Sequence, residues 1–401
     1  MNEITLSRKE DQICKILFLV SPIIGYLQRP ARNTIVSLLF LGVFFMYWRK
    51  SRLFRKLSTS LPLKIWLILT LFHCINALAK HVPEVNILDI LHGLKIYSCI
   101  CIFYYWGVVD FRSTIKILVS CFICYLCISF IVCDFGGDEL GGRMTGVIYA
   151  TALGQSAAIS CFYIVYHSLI TRMPIGKTFL YFLLPFVIII LTQSRNAMAM
   201  MGIALFAYTW VYASGRNSSK RILVLSLIGV ISIIIAYNIF IHSDFANRII
   251  EVSELHEASY QYNILTTGTI FDNIVGDRLI YYVFGFQLFL KSPITGIGMW
   301  NYKYAVDGIY PLHTEYMVHL CEGGLIGATL WIIFWIYIIR GTYKYIKQKE
   351  YRIIVFLSIA QLLFCALYAR LFYYEFFYPI IGITFSLIWL FKNNKYKRIQ
   401  I

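Results

Sequence analysis

The stretch PLHTEYMVHLCEGGLIGATLWIIFWIYIIR, residues 311–340, decides the fold class. It opens on polar residues, passes through a glycine-rich part and continues as an apolar run that ends at Arg340. A helix needs about 20 apolar residues to cross the hydrocarbon of a bilayer. Residues 313–339 therefore predict a membrane-spanning helix whose first turns are polar.

The composition extends this prediction to the whole chain. Of its 401 residues, 59% are hydrophobic and only 14% are charged, and the mean hydropathy is +0.69. A soluble domain has roughly 25% charged residues. A soluble globular enzyme, a disordered chain and a disulfide framework are therefore excluded. Most of the 11 cysteines lie in apolar runs, which favours core packing over metal or redox chemistry.

Apolar segments recur along the chain and predict an all-α polytopic membrane protein with about twelve transmembrane helices. Several of them are short, so that tilt or local bilayer thinning is implied. The segments run near 13–28, 34–48, 61–79, 87–108, 114–133, 147–170, 178–193, 196–213, 222–241, 313–339, 353–369 and 375–391.

The net charge of +16 is explained by membrane topology rather than by nucleic acid, because the basic residues form short clusters between apolar runs. With a cytoplasmic N-terminus, 23 of the 36 basic residues fall on the inner side and ten on the outer side. The positive-inside rule therefore predicts that both termini are cytoplasmic. The polar start MNEITLSRKEDQ predicts no cleavable signal peptide.

One long interruption, residues 242–312, falls on the outer side. It separates predicted helices 1–9 (residues 1–241) from helices 10–12 and the cytoplasmic tail (residues 313–401). It contains RLIYYVFGFQLFLKSP, residues 278–293, which is too short to span and predicts a helix lying at or re-entering the outer interface. The chain shows no internal repeat, which weakens a transporter interpretation.

Polar residues at the outer helix ends are the candidates for chemistry. Arg195 lies in a tight turn, Gln193–Asn196, and Arg278 opens the interfacial helix. At Arg195 the non-functional alternative is an arginine that snorkels to the membrane surface. At Arg278 the non-functional alternative is an ion pair with Asp277. Arg143 lies in the glycine-rich loop GGDELGGRMTG, which could equally be an ordinary loop.

A second group lies at the start of the 313–339 segment, where two histidines and two acids cluster. A structural histidine is the alternative to a functional one, while a deep Glu322 is costly in lipid unless it is paired or faces a cavity. Asp89, His92 and Lys95 form either a self-neutralising stripe or the wall of a polar cavity. The members of the cluster are His313, Glu315, His319 and Glu322.

These residue types suit a phosphate-bearing substrate. Arginine offers a planar fork that matches phosphate oxygens, and histidine can accept a proton near neutral pH. The sequence has no DxD-type acidic pair in an outer loop, no zinc motif and no nucleotide-binding glycine pattern, so a metal- or nucleotide-dependent enzyme is disfavoured. A lipid-linked sugar carries the required pyrophosphate and hydroxyl groups.

Four stretches together resemble the O-antigen ligases and O-antigen polymerases of bacterial inner membranes. Thr314 and Asn196 depart from the residues that are more usual in the family, but neither departure affects a charged residue. The stretches are GGRMTGVIYATALGQ, LTQSRNAMAMMGIA, DRLIYYVFGFQLFLKSPITGIGMWNY and LHTEYMVHLCEGGLIGATLW.

The resemblance implies a GT-C-like fold with one large periplasmic loop. It also implies metal-independent, inverting glycosyl transfer without a cofactor, from an undecaprenyl-pyrophosphate-linked glycan. Arg195 and Arg278 would hold the pyrophosphate, and His313 would position or deprotonate the acceptor hydroxyl. Further substrate contacts are expected from Arg143, Arg370, Glu315 and His319.

The interpretation favoured is an O-antigen ligase of the bacterial inner membrane, acting on a lipid A-core acceptor at the periplasmic face. An O-antigen polymerase, which would use a second lipid-linked glycan as acceptor, is the alternative. A polysaccharide flippase is less favoured, because Arg195, Arg278 and His313 all lie at one end of the predicted helices.

Overall fold

The computed structural model describes residues 10–18, 29–81, 87–135, 144–145, 150–213, 279–305, 312, 314–367 and 377–396. These residues are mostly helical, in agreement with the all-α prediction. A short antiparallel pair joins β1 (Asp134–Phe135) to β2 (Met144–Thr145), with Asp134 opposite Thr145. The strands flank the glycine-rich loop, whose tip lies outside the described residues.

The helices of the first half follow the predicted segments closely. The predicted segment 61–79 is a helix with those same bounds, and the segment 196–213 begins one residue earlier. The helices are α1 (10–18), α2 (Arg29–Lys50), α3 (Arg52–Ser58), α4 (Leu61–Ala79), α5 (Ile87–Val109), α6 (Phe111–Ile131), α7 (Ala150–Thr171), α8 (Ile175–Leu191) and α9 (Arg195–Ala213).

The described part of the second half begins at the predicted interfacial helix. Residues 222–241 and most of the outer loop lie outside the described residues, so the domain division stays a prediction. The helices are α10 (Leu279–Lys291), α11 (Tyr302–Ala305), α12 (Glu315–Met317), a π turn (Val318–Glu322), α13 (Gly324–Tyr345), α14 (Lys349–Ala366) and α15 (Tyr378–Lys392).

Four of the described helices, α4, α6, α7 and α13, are long and apolar enough to cross a membrane. Shorter apolar helices include α8 and α15. The chain is therefore a mostly helical protein with the character of a multi-pass membrane protein. The number of twelve crossings and the cytoplasmic placement of both termini stay predictions.

Helix α7 lies at the centre of the bundle and is buried on nearly all sides. A helix that is apolar all round is expected in such a position. The fully buried Gln361 of α14 joins three helices there, because its Nε2 donates to Ala158 O of α7 at 3.2 Å and to Met200 O of α9 at 3.0 Å. This connection fixes α9, the helix that Arg195 begins, against the core.

The prediction of one continuous helix over 313–339 is wrong. The segment forms α12 and a π turn and then breaks at Gly323 before α13 begins. The break lies at the glycine pair 323–324, because Gly324 has a φ of +61° that an α-helix cannot contain.

Candidate active site

The helix break between the π turn and α13 is the structural centre of the candidate site. A π turn replaces the usual i to i−4 hydrogen bonds and is frequent at functional sites. Backbone groups that lose their helical partners must find others, above all where lipid surrounds the protein. The partners here come from a loop that is distant in sequence.

The loop 292–298, which follows α10, docks onto the break through its backbone. This docking loop, which contains the stretch PITGIG, completes the hydrogen bonding of the broken helix. Four bonds join the two: Ile297 N to Cys321 O (3.0 Å), Gly298 N to Glu322 O (3.0 Å), Leu325 N to Pro293 O (2.8 Å) and Ile326 N to Ile294 O (3.2 Å).

Glycines make this backbone contact sterically possible. A Cβ on Gly296, where φ is +71°, would lie 2.4 Å from the carbonyl carbon of Glu322. A Cβ on Gly324 would lie 2.4 Å from the amide nitrogen of Gly296. Both distances are far below a van der Waals contact, and both backbones are left-handed. Gly296 of the docking loop and Gly324 at the helix break therefore serve one contact between the two segments.

Helix α4 holds both sides of this contact through Asn76. Its Nδ2 donates to Thr295 O of the loop at 2.6 Å and to Glu322 O of the π turn at 3.1 Å. The side chain is buried, and the bond to Glu322 O is shielded from water. One amide group thus ties three elements together: α4, the docking loop and the broken helix.

One turn earlier on α4, His73 begins a buried chain of polar side chains, His73–His319–Glu315, which we call the outer network. The Nε2 of His73 lies 2.9 Å from Nδ1 of His319, whose own Nε2 lies 3.2 Å from Oε1 of Glu315. The three side chains are 5%, 4% and 2% exposed. Buried polar groups are tolerated only when they bond to one another in this way.

The geometry gives the outer network a direction when both imidazoles are neutral. A carboxylate only accepts, so His319 Nε2 must donate to Glu315 and its Nδ1 must then accept from His73 Nε2. The second oxygen, Glu315 Oε2, is buried and accepts no hydrogen bond from the described residues. Within the described part of the chain, no group of three or more His, Cys, Asp and Glu side chains could hold a metal ion.

Aromatic and glycine residues shape the walls around the outer network. The ring of Trp331 stacks on His319, with ring centroids 5.3 Å apart and planes at 28°. A Cβ on Gly323 would lie 2.7 Å from Cε1 of His73, and one on Gly327 would lie 3.4 Å from the same atom. The glycines after the π turn therefore leave room for a histidine ring as well as for the docking loop.

A polar junction lies beside the start of α12 and joins three distant segments. The hydroxyl of Tyr282, in the first turns of α10, donates to Leu367 O at 2.9 Å. The hydroxyl of Thr314 lies 3.1 Å from the Tyr282 oxygen and 3.3 Å from Ala366 O. The beginnings of α10 and α12 and the end of α14 therefore meet at one place.

The tight turn predicted between helices 7 and 8 connects α8 to α9. Gln193 adopts a left-handed φ of +48°, and the hydroxyl of Ser194 accepts weakly from Ala197 N at 3.4 Å. Arg195 is thus the first residue of α9, where backbone amides favour anions. A Cβ on Gly154 of α7 would lie 2.7 Å from Thr192 Oγ1, so this turn is packed against the central helix.

The predicted site residues are only partly described. Arg143, Arg278, His313 and Arg370 lie outside the described residues, and of Arg195 only the backbone is described. Glu315 and His319 are in direct contact, and their role in binding substrate stays a prediction. Glu322 and Lys95 are fully buried, while the side chains of Asp89 and His92 lie outside the described residues.

Sequence reasoning missed His73 and Asn76. Both lie in an apolar segment that carried no motif, within the first 130 residues. The available signal was a histidine and an amide three residues apart on one face of a membrane helix, where polar groups are expensive. Their partners are more than 200 residues away in sequence. No local pattern could have shown these pairs.

The comparisons with known proteins agree with the resemblance seen in the sequence. Residues 180–332 match the family model described as O-antigen ligase. No curated protein matches the chain significantly. The matched region runs from α8 into α13 and includes Arg195, Arg278 and His313, but neither Arg143 nor Arg370. Residues 180–332 thus resemble an O-antigen ligase domain, which supports the resemblance to the O-antigen ligases and polymerases that the sequence predicts.

Proposed function

We propose that this protein is an O-antigen ligase. It transfers a glycan from undecaprenyl pyrophosphate to a sugar hydroxyl of the lipid A-core at the periplasmic face of the inner membrane. The observation that carries the proposal is the family match over residues 180–332, which spans the docking loop and the broken helix. The order of the motifs along the chain supports the same activity.

The polar junction supports a shared site for the predicted residues. Arg278 precedes α10 directly and lies four residues before Tyr282, while His313 is bonded to Thr314. The side chains of Tyr282 and Thr314 are 3.1 Å apart, and Arg370 follows Leu367 by three residues. Chain connectivity alone therefore keeps these three positions within a few residues of one junction.

In the proposed reaction, the acceptor hydroxyl attacks the anomeric carbon from the side opposite the pyrophosphate, which inverts the configuration. The bond between that carbon and the pyrophosphate oxygen breaks, and the lipid pyrophosphate leaves. Arg195 and Arg278 stabilise the negative charge that develops on it. His313 positions the hydroxyl and accepts its proton. A pyrophosphate whose negative charge is stabilised by arginines is a good leaving group, so the reaction needs no general acid.

The ligase is preferred to the polymerase because the predicted topology has one large loop directly before the histidine helix. A deletion strain separates the activities. Lipopolysaccharide that lacks O-antigen while undecaprenyl-linked polymer accumulates indicates a ligase. A core that carries a single repeat unit indicates a polymerase, and loss of the periplasmic polymer indicates a flippase.

Two substitutions test the assigned residues in the same strain. Arg278→Ala and His313→Ala should each abolish the transfer at normal protein levels, because they remove the countercharge and the base. Lys291→Ala is the matched control, since Lys291 is an exposed cation at the other end of α10. Product near the wild-type amount from either of the two variants would refute that residue's role.

A further inference from the structure

We propose that Glu315, held by His319 and His73, is a positioning residue for the transfer reaction. The inference rests on the proposed function and deepens it. In this role, the outer network fixes the beginning of α12, where Thr314 joins the predicted base His313, and keeps one carboxylate oxygen of Glu315 available there.

The position of Glu315 in the chain supports this role. It is the first residue of α12, directly after Thr314. Thr314 contacts the polar junction, so Glu315 lies between this junction and the outer network. A side chain in this position controls the backbone to which the predicted base is attached.

A mechanical link between α4 and the broken helix does not by itself require the outer network. Asn76 already ties α4 to the docking loop and to the π turn with two hydrogen bonds. A second tether made of two imidazoles and a carboxylate adds a large desolvation cost, which packed apolar residues would avoid. The arrangement is explained better if the negative charge itself has a task.

The two carboxylate oxygens of Glu315 differ in their hydrogen bonding. Oε1 is taken by His319 and Oε2 accepts nothing from the described residues, although it is buried. Because His73 and Trp331 hold the imidazole of His319, the carboxylate is held in turn. A fixed, buried carboxylate with one open oxygen is suited to orient a histidine base and to stabilise its protonated form.

Glu315→Gln tests the inference, since the amide oxygen can still accept from His319 while the charge is removed. The assay uses the purified full-length protein with the undecaprenyl-linked glycan and the lipopolysaccharide core, both extracted from the deletion strain. We expect kcat to fall about 100-fold, as for a misplaced catalytic group, with an unchanged KM for the donor and an unchanged melting temperature. Glu350→Gln, a carboxylate on α14, is the control and should keep wild-type kinetics.

Variants of His319 add a second measurement, the activity per folded molecule, which would not change if the outer network were purely structural. His319→Gln keeps a donor that can reach Glu315 and should retain much more activity than His319→Leu, at equal amounts of folded protein. Wild-type kcat in Glu315→Gln, or a kcat that falls only in step with a lowered melting temperature, would overturn the inference. An inactive wild-type protein with a core acceptor would instead contradict the proposed function.

Discussion

Two polar networks among the described residues differ in whether each of their polar atoms has a hydrogen-bond partner. The inner network, Asp11–Tyr47–Trp106, joins the partly exposed Asp11 of α1 to the ends of α2 and α5 that are predicted to face the cytoplasm. Trp106 Nε1 donates to the Tyr47 hydroxyl at 2.7 Å, and that hydroxyl donates to Asp11 Oδ1 at 2.7 Å. Lys15 lies 2.7 Å from the other Asp11 oxygen. Every polar atom named here has a partner.

The outer network, in contrast, ends on the open oxygen of Glu315. It lies at the ends of α4 and α12 that are predicted to face outward, within the region where the family match and the predicted catalytic residues fall. A network in which every group has a partner suffices to join helices. A buried acceptor without a partner costs stability, and the positioning role proposed for Glu315 gives its carboxylate a task in the transfer reaction. We therefore interpret the inner network as structural and propose a function for the outer one.

The largest expected effect comes from Gly324→Ala, which disrupts the contact between the docking loop and the broken helix that carries His319 of the outer network. Its Cβ would lie 2.4 Å from Gly296 N, and its φ of +61° disfavours any other residue. The clash with backbone should separate the docking loop from the broken helix and lower the free energy of unfolding by about 3 kcal/mol or more. Thermal melting in detergent and the transfer assay would both show the loss.

Gly202→Ala is the matched control for that experiment. Gly202 lies in α9, and a Cβ there would meet nothing within 4 Å. Alanine should stabilise the helix by up to about 1 kcal/mol. If Gly324→Ala melted like Gly202→Ala, the docking described between the loop and the break would be wrong.

A smaller effect is expected from Tyr47→Phe, which opens the inner network. The change removes the hydroxyl that joins Trp106 to Asp11 and leaves the buried indole N–H without its acceptor. The cost should be about 1–3 kcal/mol of unfolding free energy. Melting measures it, while kcat per folded molecule should stay at the wild-type value because this network serves packing. If Tyr47→Phe lowered kcat without lowering the melting temperature, the contrast between the two networks would be wrong.

The smallest effect is expected from Thr314→Val, which keeps the shape of the side chain. It removes the contacts of the Thr314 hydroxyl with Tyr282 and with Ala366 O. Net loss of a hydrogen bond costs about 1 kcal/mol. Hydrogen exchange should increase at the end of α14 and the start of α10, with little change in global melting. Unchanged exchange there would mean that the junction does not hold these segments together.

The fold was predictable wherever a helix is one continuous apolar run of the chain. Apolar length and helix termini are local properties, and the predicted segment 61–79 therefore matches α4. The segment 313–339 was predicted wrongly, because the break at Gly324 depends on a loop some 30 residues earlier that supplies replacement hydrogen bonds. A pattern of hydropathy cannot show a backbone partner that comes from elsewhere in the chain.

The residues of the candidate site were predictable only where residue type or a local motif was enough to single them out. Glu315 and His319 were selected because ionisable groups are rare inside a membrane segment. His73 has the same character, but its significance depends on the 2.9 Å contact with His319 across 246 positions of sequence. Such pairs are set by the packing of α4 against the broken helix, and a single sequence carries no signal for that packing.

Glu315→Gln and Tyr47→Phe should be measured side by side, with kcat and melting temperature taken from the same preparations. We predict that Glu315→Gln melts like the wild type and turns over about 100-fold more slowly. Tyr47→Phe should melt at a lower temperature and turn over normally per folded molecule. The opposite pattern, or equal losses of both properties in both proteins, would contradict the division into a functional outer network and a structural inner one.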